Sequence, residues 1–174
     1  MPASPFRFTC LSIALLALSA LPALSEPLTI DGTGISRDVH CAGNDVEIYG
    51  ANNTIKLTGK CASVMVGGVQ QTVDIAAHAG KLDVSGSGHK IAGAASALVL
   101  NGDNSTLVLA LGGAETEADA DIAGDQHMVE LTLQQPAKLD VQGLNQQVTW
   151  TLAPNTPEPK ISISGADNKV ERKE

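Results

Sequence analysis

The stretch Val46-Glu-Ile48-Tyr-Gly50-Ala-Asn-Asn53-Thr-Ile55 sets two apolar residues at alternate positions before a glycine, a polar residue three after it and a β-branched residue two further on. The phrase recurs. The glycine, polar and apolar positions repeat as Gly34/Arg37/Val39, Gly50/Asn53/Ile55, Gly68/Gln71/Val73, Gly86/His89/Ile91, Gly102/Ser105/Leu107, Gly124/His127/Val129, Gly143/Gln146/Val148 and Gly165/Asn168/Val170, with glycine spacings of 16, 18, 18, 16, 22, 19 and 22 residues. Alternation with period two, as in Val46 and Ile48 and then Ile55 and Leu57, is the signature of short half-buried strands. No capped helical periodicity interrupts it. Each unit is therefore strand, Gly-centred corner, strand and a second, more variable corner, and repeated units of this length stack on one another.

Two all-β architectures accommodate such a string: a single-domain β-solenoid of about eight short rungs, or an antiparallel barrel or sandwich. The residues three after each glycine favour the solenoid. Asn53, Gln71, His89, Ser105, His127, Gln146 and Asn168 are all polar in the middle of a β-rich unit, and stacked rungs let such side chains bond the backbone above and below them. A meander gives that column no reason to stay polar. A glycine column suits a corner with positive φ or close rung-to-rung approach. Aromatic residues make up only 2% of the chain, as a thin interior of stacked Val, Ile and Leu requires. Trp150, two after the inward Val148, is expected in the core rather than as a sugar platform.

Residues 1–25 have the pattern of a secretory leader: Arg7 precedes the apolar Leu11 to Leu24, and Ser25 ends a small-residue cleavage region before Glu26. The apolar run is too short to span a membrane. Cys10 is misplaced for lipid attachment at the cleavage point. Cleavage would leave residues 26–174 as the repeat domain, with no transmembrane segment and a formal charge of −9 against −8 for the whole chain. That charge argues against nucleic acid as a partner. In an oxidising compartment Cys41 and Cys61 are expected to form a disulfide rather than stay as buried thiols, and neither has a further soft ligand nearby for a metal. Their separation, close to one repeat, would bring them together across neighbouring rungs.

The units resemble those of a family of small exported bacterial proteins grouped only as a domain of unknown function, which carry V-x-I-x-G-x-x-N-x-V units and a cysteine pair near the start. The matching residues are Cys41, Val46 to Ile55 as quoted above, Gly59-Lys-Cys61 and Val64-Met-Val66-Gly-Gly68. Beyond Ile75 the resemblance loosens as Asn gives way to His, Ser and Gln. It implies export and a repeat fold, and transfers no catalytic residue.

Candidate chemistry is sparse. His89 and His127 share a column, but Ser105 between them would separate them by two rungs, about 10 Å, too far for a common zinc. His40 and His78 have no counterpart in the repeat. Asp121 and Asp140, three before their glycines, would sit on adjacent rungs, and with Asp83 they are the acids available to a polysaccharide-active enzyme. That face lacks the cations and exposed aromatics expected for sugar binding. The Asp31-Gly32-Thr33-Gly34 run lacks the repeat of calcium-binding rolls. Thr54, Thr72 and Thr106 form a threonine array that Lys90 interrupts. Gly86-Ser-Gly88 opens no helix and so is no nucleotide fingerprint. No nucleophile stands in the sequence beside a base and its orienter.

Three longer connections, Gly112 to Asp119, Gln134 to Ala137 and Ala153 to Pro159, fall after the second strand of their units and would project from one side. Glu115, Glu117, Asp119 and Glu158 would make that side an acidic interaction surface. The expectation is a periplasmic or secreted, non-enzymatic binding or structural module, without cofactor or metal, whose partner is a protein or another envelope component. An inhibitor or protective partner of a secreted enzyme is an alternative of another class.

Overall fold

A computed structural model describes residues 26–113 and 117–173; the expected leader and Glu115 lie outside the described residues. Its elements are β1 (Leu28–Thr33), β2 (Ser36–His40), β3 (Val46–Ala51), β4 (Thr54–Thr58), β5 (Lys60–Val66), β6 (Thr72–Ser87), β7 (Lys90–Asp103), β8 (Thr106–Leu111), β9 (Ala118–Asp125), β10 (Met128–Leu133), β11 (Ala137–Leu144), β12 (Gln147–Leu152), β13 (Lys160–Ala166) and β14 (Lys169–Arg172). All their pairings are parallel, each strand lying against the equivalent strand of the next unit, so the chain is a β-solenoid of about eight turns and not a barrel. The long strands β6 and β7 bend through the second corner and serve two rungs each.

Parallel stacking turns the two-residue alternation into four inward columns. One runs Ile30, Ile48, Val66, Val84, Leu100, Ile122, Val141 and Ile163; across the interior another runs Arg37, Ile55, Val73, Ile91, Leu107, Val129, Val148 and Val170. Residues from Ile48 to Val141 in the first column are at most 1% exposed, so the core is continuous along the axis. Trp150 lies inward and only 5% exposed, with the Arg172 guanidinium 5.7 Å from its ring centroid. Cys41 and Cys61 form a disulfide with Cα atoms 4.9 Å apart, joining successive passes of the second corner.

Glycine is required at the first corner by its neighbours. A Cβ on Gly50, Gly68, Gly86, Gly102, Gly124, Gly143 or Gly165 would stand 1.8–2.1 Å from the carbonyl oxygen of the glycine one rung earlier. Two residues on, a second column adopts the left-handed conformation: Asn52, Gln70, Gly88, Asn104, Gln126, Asn145 and Asp167 have φ between 52° and 71°. Asn, Asp and Gly tolerate that region best.

The first copy of the repeat begins two residues earlier than its spacing suggests. Gly32, not Gly34, pairs with Gly50, and Ile35 occupies the position expected for Arg37, which instead pairs with Ile55 in an inward column. Gly34, with φ of 69°, takes the left-handed position. Both corner positions accept glycine, and backbone pairing decides the frame.

Candidate functional site

The polar column forms one directed chain of hydrogen bonds. Backbone N–H groups donate from Ile35 to Asn53 Oδ1 (2.8 Å), from Asn53 to Gln71 Oε1 (3.2 Å), from Gln71 to His89 Nδ1 (3.2 Å) and from His89 to Ser105 Oγ (3.3 Å). The chain continues from Ser105 to His127 Nδ1 (3.2 Å), from His127 to Gln146 Oε1 (3.2 Å) and from Gln146 to Asn168 Oδ1 (3.0 Å). Each side chain also donates to a local carbonyl: Asn53 to Tyr49 O, Gln71 to Gly67 O, His89 Nε2 to Ser85 O, His127 Nε2 to Ala123 O, and Asn168 to Ser164 O. The column satisfies corner backbone groups that β-ladders miss.

This network fixes the histidine chemistry. Because Nδ1 accepts a backbone N–H, the proton of each neutral ring belongs on Nε2, where it meets a carbonyl. Burial lowers the pKa of His89, its carbonyl bond to Ser85 opposes this, and His127 lowers it further. Burial also lowers that of His127 against the raising effects of carbonyl contacts and of Asp103 and Asp125. Both rings have their nitrogens committed, and no cluster of three or more metal-ligating side chains occurs among the described residues.

The second corner is less uniform. Rung four is two residues shorter there than rungs two and three, and a notch of about 680 Å³ lies between Gly43 and Lys60 on one side and Gly112, Gly113 and Gln134 on the other. His78 and Ser96 lie in its floor, Nε2 to Oγ 2.9 Å. Burial, then the Lys60 charge, lowers the His78 pKa. Sequence periodicity missed this pair, because the register of β6 against β7 shifts between Ile75 and Ala79. No carboxylate hydrogen-bonds His78 among the described residues.

Asp121 and Asp140 pair directly across β9 and β11, and Val99 separates Asp121 from Asp83. These acids stand on the outer face of the sheet and do not line the notch. The three longer connections share the notch's corner: Gly113 N–H donates to Gln135 Oε1 (2.8 Å) and Ala118 N–H to Pro136 O (2.8 Å). Two of their acids are neutralised locally, Glu117 by Lys160 at 2.9 Å and Glu158 by Arg172 at 2.6 Å. Asp119 is exposed opposite Lys138.

Residues 48–104 match a family model described as a protein of unknown function (DUF3060). The matched span runs from β3 to the end of β7 and contains the Asn53, Gln71 and His89 members of the polar column, His78 and Ser96. No curated protein and no solved structure matches the chain.

Proposed function

We propose that the chain is an exported, non-enzymatic binding module of the cell envelope, periplasmic or secreted, that engages its partner at the second corner. The notch carries this reading. It is the place where polar side chains, exposed glycine backbone and the longer connections meet on one side, and concavities with a few convergent polar groups are the usual sites of recognition. Its lining is almost uncharged, with Lys60 at the rim. A partner segment offering carbonyl or hydroxyl groups to Ser96 and His78 fits it better than a strongly basic patch, since Glu117 and Glu158 are already paired. The disulfide and the leader-like first 25 residues support export. The polar corner column is scaffold, its donors and acceptors being spent on the backbone.

Ala62 is exposed at the notch, so Ala62→Trp would fill it without disturbing the core. In capture from an envelope fraction, Ala62→Trp should lose the partner while Thr149→Trp on the far sheet keeps it. Equal capture by both variants would defeat the reading.

The Ser96–His78 contact favours a hydrolase as the second reading, with serine as nucleophile and neutral histidine as base. Among the described residues no carboxylate orients His78, which weighs against it. Turnover of simple esters that Ser96→Ala abolishes would support the enzyme.

A further inference from the structure

The two ends of the solenoid are finished differently. In the first rung the inward Ile30 and Val39 are 4% and 8% exposed, and the exposed member of its inward columns is the charged Arg37 rather than an apolar residue. In the last, Ile161 and Ile163 are 40% and 51% exposed, although Leu139 and Val141, their partners one rung back, are fully buried. All of β13 is exposed, and among the described residues only β11 pairs with it, leaving its other edge unpaired. Such edges are ordinarily guarded by charges across them. Here Lys160, Arg172 and Lys173 pair with acids outside β13 and β14, namely Glu117, Glu158 and Glu130, while Lys169 and Glu171 pair with each other along β14 and so stay on the edge.

We propose that the C-terminal rung is the interface of a tail-to-tail, two-fold symmetric dimer, in which β13 and β14 each pair antiparallel with their own copies. Ile163 and Val170 stand opposite each other, two residues before Gly165 and two after Asn168, so one two-fold axis across the rung passes through both. About that axis Ile163 meets Ile163 of the second copy, Ser162 meets its Ser164, and Lys169 meets its Glu171. Shifting the register by two residues in either direction would set Lys169 against Lys169 or Glu171 against Glu171. Charge complementarity therefore selects both the second copy as occupant and the register.

Head-to-tail stacking is disfavoured by the polar column. The column ends at Asn168, whose N–H would need an acceptor on the next rung, and the first rung offers Ile35 at that position. The closed dimer is the remaining way for copies of this chain to cover the open end.

Sedimentation of the oxidised chain should show a monomer–dimer equilibrium. Ile163→Lys, placing two cations on the axis, should weaken dimerisation at least about a hundredfold. It should lower the unfolding midpoint of dilute monomer only modestly, because Ile163 is half exposed there. Ile163→Cys should cross-link two chains rapidly, since residues facing across an antiparallel pair have Cα atoms about 4.5–5.5 Å apart. Ile161→Cys, with its copies about 13 Å apart along the strands, should cross-link poorly. A chain that stays monomeric at every concentration, or equal cross-linking by both cysteines, would overturn the proposal; so would saturable binding of an extended peptide at this edge in place of self-association.

Discussion

Replacing Gln71 by leucine isolates the contribution of the polar column. The side chain is fully buried, accepts the Asn53 N–H at 3.2 Å and donates to Gly67 O at 3.2 Å. Leucine of similar volume would strand one donor and one acceptor out of reach of water. Each stranded group costs about 1–3 kcal/mol, and the added apolar burial returns roughly 1.5–2 kcal/mol. The net loss should lie between about 0 and 4.5 kcal/mol and centre near about 2 kcal/mol, read in urea as a lower midpoint with an unchanged slope. Gln147→Leu, at an exposed position of β12, is the matched control and should shift stability by no more than about 0.5 kcal/mol. If Gln71→Leu is as stable as wild type, the column contributes no net hydrogen-bond energy and the reasoning fails.

The same geometry predicts acid sensitivity. His89 and His127 have folded-state pKa values below the ordinary 6.5, so their stabilisation is complete above that value and is lost as pH falls from it towards the lower folded-state values, by up to about 1.4 kcal/mol per pH unit for each. Denaturation at a series of pH values should show this slope, and His89→Gln with His127→Gln should flatten it, since glutamine already fills this role at positions 71 and 146. Gly102→Ala would place a Cβ 1.9 Å from Gly86 O and should prevent folding or cost at least about 3 kcal/mol. Gly34→Ala, with no atom within 4 Å of the new Cβ, should cost only about 1–2 kcal/mol of backbone strain, as thermal denaturation would register. Reducing Cys41–Cys61 should lower stability by roughly 3 kcal/mol, measured as the difference between oxidised and reduced unfolding midpoints.

The fold was legible where one rung constrains the next at every repeat. Gly50 and its equivalents cannot carry a Cβ, and Val46 and Ile48 alternate because one face of β3 is buried, so both leave a periodic trace. The frame of the first rung was obscured because Gly32 and Gly34 each satisfy a positive-φ corner. The left-handed column was obscured because Asn52, Gln70, Gly88 and Asp167 meet one backbone demand with different side chains. His78 and Ser96 meet only through the irregular register of β6 on β7, which no repeat records. Ile161 and Ile163 have the same alternating pattern as Leu139 and Val141; their exposure depends on the absence of a ninth rung among the described residues.

Nitrogen-15 NMR of the histidine rings, followed through a pH titration, tests most directly whether the polar column is scaffold. His89 and His127 should be neutral at pH 7, with the proton on Nε2 and an unprotonated Nδ1 coupled to the N–H groups of Gln71 and Ser105. A proton on Nδ1 of either ring, or free titration of both at the ordinary histidine value, would contradict the directed chain of bonds on which the account of this corner rests.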